Sequence, residues 1–428
     1  MASFIVILII AACAALLYLK GTVLKALATL IAAVCASIVA FGFFELLANV
    51  FIKEPSQSEY PSLMPWAQPL CFVLLFIITF AVLQTLASIL TKQPVDLGFY
   101  PERIGRVICG ILLGLFLSGL LLTALAMAPL PNNYPYQRFD ERIPNPERPS
   151  KVFLNADGFA TGWFSMVSDG SLAAIRNPRS FSALHPAYID QLFLNRHNTE
   201  DDITLVARPE SIEFPRKSGE KGENGAWLAP KNLQDTNGQT IPPKSGHTLI
   251  IVRAGLNRRA ARDARLFTLS QLRLVCKRNN FAKDPFVFVG KAWNFYPIGY
   301  ITRPNTLEQK KLNEKIEVEL KAFDKTVWID FAFYVPDELT PVHIEFKQNS
   351  LARVPHEPVQ AGDAPPPVYF ISLSDKKADA PPDNSSDRPT NDRPANDRTD
   401  KPDNSTDRRT PGSAVGSLIY GDLENRNE

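Results

Sequence analysis

The sequence predicts a multi-pass α-helical membrane domain of four transmembrane helices, joined to an exterior, mainly-β, sandwich-like domain with a few helices and a disordered C-terminal tail. Three observations carry this prediction. Four apolar runs fill most of residues 1–130. Alternating β-branched and aromatic residues recur between His247 and Phe346. Residues 375–411 have almost no apolar side chains. The implied boundaries are 1–130 for the transmembrane domain, 131–150 for a proline-rich spacer, 151–374 for the exterior domain and 375–428 for the tail. A chain of 428 residues has room for such a division.

The first run, residues 3–19, carries no charge. Its length is at the lower limit for a spanning helix. A cleaved signal peptide would need a basic start, and the first basic residue is Lys20, on the wrong flank. The second run goes from Thr22 to about Ile52, with Lys25 near its start and Glu45 near its end. At ~1.5 Å per residue Glu45 falls roughly 36 Å from Gly21, at the far interface and not at the bilayer centre. The third run covers Pro69 to Leu90 and is preceded by Tyr60 and Trp66, rings suited to the headgroup belt. Its Thr79, Gln84, Thr85 and Ser88 either bond to neighbouring helices or line a polar pathway. The fourth run, Ile104 to about Met127, holds Gly110-xxx-Gly114-xxx-Ser118. Small residues one turn apart let a second helix approach closely, either within the bundle or from a second copy as a homo-oligomer.

Basic residues collect in alternate loops. Lys20 and Lys25 lie between runs one and two, and Lys92, Arg103 and Arg106 between runs three and four. The loop between runs two and three sets Lys53 against Glu54 and Glu59. By the positive-inside rule loops one and three are cytoplasmic. The N-terminus, loop two and everything after Leu130 are then exterior.

Lys20-Gly21 followed by Lys25-Ala26-Leu27, and Leu97-Gly-Phe-Tyr-Pro-Glu102-Arg103 leading into Gly110 and Gly114, together resemble the colicin V production protein family. The likeness covers residues 1–130. Two positions depart from the pattern. Glu102 stands where Asp is expected, and Arg106 takes the first rung of the glycine ladder, with Gly105 shifted by one. The resemblance implies a bacterial inner (plasma) membrane protein linked to colicin V secretion, toxin biosynthesis and the cell envelope, with no established reaction. The residues have a simpler role as well. Glu102 suits the positive end of the fourth helix, and Arg103 and Arg106 reach lipid phosphates.

Residues 131–150 read as an extended spacer lifting a domain off the bilayer. Phe159 to Val167 and Pro186 to Leu194 have helical spacing. Strands are expected at Thr248–Val252, Leu266–Val275, Phe286–Val289, Tyr296–Ile301, Lys315–Leu320, Val327–Val335 and His343–Phe346. Leu266 and Leu269 fall off the alternation. The series suggests an antiparallel sandwich of immunoglobulin-like general shape.

Nothing reads as catalytic, and the chain is expected not to be an enzyme and to need no cofactor or metal. The five histidines lack metal-ligand spacing, and His343-Ile-Glu345 reads as two polar residues on a wet strand face. There is no G-x-S-x-G elbow, and Lys217-Ser218 lacks the acyl-transfer spacing. Arg258, Arg259, Arg262 and Arg265 form a basic cluster that reads as a solvated face. Four of the five cysteines lie in apolar runs, which leaves Cys276 alone in the exterior part with no disulfide partner there. A net charge of +2 argues against a nucleic-acid binder, and no nucleic-acid partner is expected. The tail repeats a degenerate Asn-Asp-Arg-Pro unit, reads as a tether, and ends in an apolar patch at Val415–Tyr420.

The favoured function is an exterior binding domain for an envelope protein or polymer, anchored in the lipid bilayer and acting in secretion or envelope maintenance. A small transporter or channel, with the bundle as pathway, is the second expectation. An exterior enzyme is the third, and it requires a deep polar pocket.

Overall fold

A computed structural model describes residues 1–19, 22–53, 63–90, 98–170, 180–197, 203–215, 225–257, 265–280, 284–319 and 325–378. The chain divides into two compact units, Met1–Asp379 and Ala380–Glu428. The second, with the Asn-Asp-Arg-Pro repeat and the terminal apolar patch, lies outside the described residues.

Four helices are long and apolar enough to cross a membrane. They are α1 (Ala2–Leu19), α2 (Val23–Lys53), α3 (Ala67–Leu90) and α4 (Phe99–Met127). Their sequences are apolar over most of their length, with the charged residues of α2 and α4 gathered toward the helix ends, and in lipid an α-helix satisfies every backbone polar group internally. The glycine ladder of α4 is filled by α1. A Cβ on Gly110 would stand 2.6 Å from Ala14 Cα, and one on Gly114 would stand 2.5 Å from Ile10 Cα. This sets an antiparallel register in which α1 and α4 touch backbone to backbone.

One end of the bundle, the basic end, carries Lys25, Arg103 and Arg106. The opposite end, the sheet end, is capped by the rest of the chain. Three short helices lie against it: α5 (Ala156–Gly170), α6 (Phe181–Leu184) and α7 (Tyr188–Asn195). Phe41 and Phe44 of α2, Phe72 of α3 and Phe116 of α4 share one buried cluster with Phe164, Leu192 and Phe193 of α5 and α7. Residues 131–150, expected as an extended spacer, have no regular structure but do not hold the two parts away from each other. Arg138 and Phe139 are buried. Arg138 Nε donates to Asp190 Oδ1 at 2.5 Å. Tyr136 donates its hydroxyl proton to Asp157 and accepts from Arg138. Proline content led to an extended reading, and charge pairing with α5 and α7 folds the segment down.

The β region contains thirteen described strands in three sheets. The largest runs β1 (Ile212–Glu213), β4 (His247–Asn257), β11 (Thr326–Pro336), β8 (Gly299–Arg303), β9 (Thr306–Gln309) and β3 (Gln234–Asp235), with β2 (Ala226–Leu228) also paired to β4. The second is β13 (Ser350–Arg353), β12 (Thr340–Phe346), β6 (Leu272–Asn280) and β7 (Asp284–Phe295). The third pairs β5 (Leu266–Thr268) with β10 (Lys315–Glu317). Val252, Leu256, Phe331 and Phe333 of the large sheet share a core with Leu272, Leu274, Ile344 and Phe346 of the four-stranded one. Two sheets therefore face each other across one core, but β3 and β9 run parallel, unlike the purely antiparallel arrangement expected.

Leu266 and Leu269 broke the alternation because a 3-10 turn at Leu269–Gln271 separates β5 from β6. Strands β1, β2, β3, β9 and β13 were not foreseen. Each has four residues or fewer, too short to show a period. The tail boundary at 375 falls inside α8 (Leu373–Ala378), where Asp375 accepts from Tyr300 Oη and Lys310 Nζ, both at 2.8 Å.

Candidate functional site

Two polar constellations stand out, one at each end of the bundle. At the basic end Glu102 lies in the first turn of α4, but its carboxylate serves more than its own helix. Oε1 accepts from the backbone N–H of Val23 at 3.0 Å, closing the open N-terminus of α2. Arg106 Nη2 holds the same oxygen at 2.6 Å, and its Nη1 lies 3.4 Å from the Tyr18 carbonyl near the end of α1. Glu102 and Arg106 thus tie three helix ends together. Arg106 therefore has its own role in the ladder's first position, and the close contact expected there moves to Gly105, whose added Cβ would stand 2.4 Å from Val23 Cγ2. Arg103 lies over the ring of Phe99 at 4.0 Å from its centroid and 6.0 Å from that of Tyr18. Lys20 and Gly21 lie outside the described residues.

At the sheet end, strand β6 presents Leu272, Leu274 and Cys276 to the sandwich core, and its alternate residues Arg273 and Lys277 face the other way. That second face is buried too, because α6 and α7 cover it. Arg273 and Glu345 are direct cross-strand partners of β6 and β12 and form a buried ion pair. Arg273 also donates to Asn294 Oδ1 at 2.7 Å and to the Leu184 carbonyl at 2.8 Å. His185 follows α6 and sits between the two parts of the molecule. Its Nδ1 lies 3.2 Å from both Gln191 Oε1 and Arg273 Nη2, and its Nε2 approaches Glu45 Oε1 of α2 at 2.7 Å. A continuous chain of charges, Glu45–His185–Arg273–Glu345, therefore links a spanning helix to the four-stranded sheet.

Burial by itself pushes the His185 pKa down, but the charge and close contact of Glu45, aided by Glu345, raise it overall against the opposing Arg273. Charge counting gives the same direction. Two carboxylates face one guanidinium, and protonating His185 brings the cluster to neutrality. Tyr188, whose ring centroid lies 5.0 Å from that of His185, is raised well above its ordinary value by burial.

A crevice beside this network is lined by Gln191, Gln271, Arg273, Tyr296 and Glu345 among others and has space for about one water molecule. That is far below what a small-molecule site requires. Nearby, buried Arg196 donates to the Leu125 and Ala128 carbonyls at 3.3 Å and to the Tyr134 carbonyl at 2.9 Å, capping the last turn of α4. Burial pushes its pKa down to about 10.

His343 and Glu345 were expected on a wet strand face. The structure corrects this, because both are buried where β12 is covered on its two faces. His197, His247 and His356 each have a ring nitrogen within 3.2 Å of a backbone carbonyl. Of the polar residues in α3, Gln84 donates to Thr29 of α2 at 3.1 Å, and Thr85 and Ser88 turn back onto carbonyls of their own helix. Arg265 pairs with Glu317 at 3.1 Å. The other three arginines of its cluster and Lys217-Ser218 lie outside the described residues. Among the described residues no group of three or more potential metal ligands converges.

Residues 2–141, about a third of the chain, match the family model described as Colicin V production protein. The matched segment ends just beyond α4, so the junction with the sheets lies mostly outside it. No curated protein and no solved structure gives a significant match.

Proposed function

We propose that the chain is a multi-pass protein of a bacterial inner membrane whose β region stands on the exterior side, binds an envelope protein or polymer there, and acts in secretion or envelope maintenance without catalysing a reaction. The observation that carries this reading is the charge chain Glu45–His185–Arg273–Glu345, set on the shared aromatic core. It joins the β region to the bundle, as a platform built on an anchor, and the crevice beside it is too small for a substrate. The exterior orientation is supported by the basic residues Lys25, Arg103 and Arg106 at the end of the bundle away from the sheets. The bonds of Gln84, Thr85 and Ser88 favour a packed anchor over a polar pathway.

Two fusions to the complete chain test the orientation. Alkaline phosphatase placed after Glu428 is expected to be active and green fluorescent protein at the same point dark, and the reverse pattern overturns it. The role is tested by deleting the coding sequence in the native host. Loss of peptide-toxin export or increased detergent sensitivity, restored by the complete chain, is the expected result. Unchanged export and envelope resistance would overturn it.

A further inference from the structure

Helix α5 is apolar on its outward face as well as on the face that carries Ala160 and Phe164 into the core. Its buried positions include Asp157, at 1% exposure, with Thr161 and Ser168. Its outward positions are Phe159 at 40%, Trp163 at 38% and Met166 at 59%, spaced one and two turns apart on one face. Phe153 and Leu154, just before it, are exposed as well. Between Lys151 and Asp169 the one charged residue is Asp157, and it is bonded inward to Tyr136. No charge therefore breaks the apolar stripe.

Two independent rulers place this stripe. Helix α1 has 18 residues and rises ~27 Å, less than the ~30 Å of a hydrocarbon core. All of α1 therefore lies within that thickness, including Ser3, whose Oγ accepts from Phe153 N at 3.3 Å. The register of Gly110 on Ala14 and Gly114 on Ile10 continues to put Gly119 level with about residue 5 of α1. A Cβ on Gly119 would stand 2.1 Å from the Ala156 carbonyl, so α5 begins at that depth. The second ruler is α2. Phe41 lies ~27 Å along it from Val23 at the basic end, and its ring stacks on Phe164 of α5 at 4.9 Å. Both measurements set α5 within the outer few ångströms of the hydrocarbon, lying obliquely and not above the surface.

We propose that α5 is a lipid-embedded interfacial helix, whose Phe153, Leu154, Phe159, Trp163 and Met166 contact the acyl chains of the leaflet at the sheet end. The occupant is the bilayer itself. The stripe continues the exposed apolar surface of α1, where Phe4, Ile7 and Leu8 also face outward, and an aromatic-rich uncharged face at this depth suits acyl chains and the headgroup boundary. This rests on the reading of α1–α4 as membrane spans.

The test uses the complete chain reconstituted in phosphatidylethanolamine–phosphatidylglycerol vesicles, one set carrying acyl chains brominated near mid-chain. Subtracting the emission of Trp163→Phe from that of the unaltered chain isolates Trp163 from the other tryptophans. The expected result is that brominated lipid removes most of this difference emission while aqueous iodide leaves it intact. Met166→Trp in the Trp163→Phe background should behave in the same way. Quenching by iodide and not by bromolipid overturns the proposal by placing the face in water. Quenching by neither overturns it by placing the face against protein. Flotation after carbonate washing separates the two levels. A chain that stays with the vesicles but fails the quenching test loses only the α5 assignment, and a chain released by carbonate loses the membrane-spanning reading with it.

Discussion

His185 is the residue at which charged groups of the two halves of the molecule meet, Glu45 on one side and Arg273 on the other. Its folded pKa is raised above the ordinary 6.5, chiefly because the Glu45 carboxylate outweighs burial. A group raised on folding contributes stability that is fully present below its unfolded pKa and lost as pH rises through the folded value. The complete chain in detergent is therefore expected to melt at a lower temperature as pH is raised from about 6 past the raised pKa. His185→Gln should remove that component. The comparison has to be made as a difference between the two proteins, because buried His197 and half-buried His356 are shifted downward and act in the opposite sense. An identical pH dependence for the two proteins would show that Glu45 does not charge His185. Arg273 and Glu345 sit in the same network and are each visible in the sequence as one polar residue between apolar ones. Read on a strand, such a residue belongs to a wet face. It becomes a buried partner only when something covers the second face of the sheet, and that cover comes from α6 and α7, remote in sequence.

At the scale of elements, the α1–α4 seam is set by two missing side chains. Gly114 meets the backbone of Ile10, which cannot rotate away as the end of a flexible side chain can. Gly114→Leu is expected to destabilise the detergent-solubilised chain by about 1–3 kcal/mol through overpacking. Gly42, where an added methyl would meet nothing within 4 Å, should tolerate Ala, and it is the control. Thermal melts of both variants check this, and equal melting temperatures would remove the seam. The helices were legible because long, predominantly apolar runs admit one solution in lipid. Strand β11 was legible from the alternation over Val327–Val335, β4 from the β-branched run Thr248–Val252 at its start, and β12 in part from His343–Phe346. The Glu102 motif was legible as a pattern but not as a geometry. Nothing local in Leu97–Arg103 announces that Glu102 caps α2, since its partner Val23 is 79 positions away. The folding of 131–150 onto α5 and α7 was hidden for the same reason, because Arg138 depends on Asp190 and Asp157.

At the scale of the whole molecule, α5–α7 complete a core that the spanning helices begin. Phe41 touches Phe72, Phe164 and Phe181, so rings from both parts share one cluster. A fragment comprising residues 151–378 would present this cluster to water. It is expected to bind a hydrophobic dye strongly and to aggregate when expressed without residues 1–150. A monomeric, cooperatively melting fragment with no dye binding would show that the β region is independent of the bundle.

The caps on the spanning helices also carry a consequence for the order of synthesis. Val23 is made 79 residues before Glu102, and Leu125 is made 71 before Arg196. While the ribosome is still extending the chain, α2 and α4 each enter the bilayer with one end unfinished. The α1–α2 hairpin is closed only when α4 arrives, and α4 only after the stretch that carries Arg196 has been made. Each stage of insertion thus waits on the next, and the last lock is turned by a residue that belongs to no spanning helix.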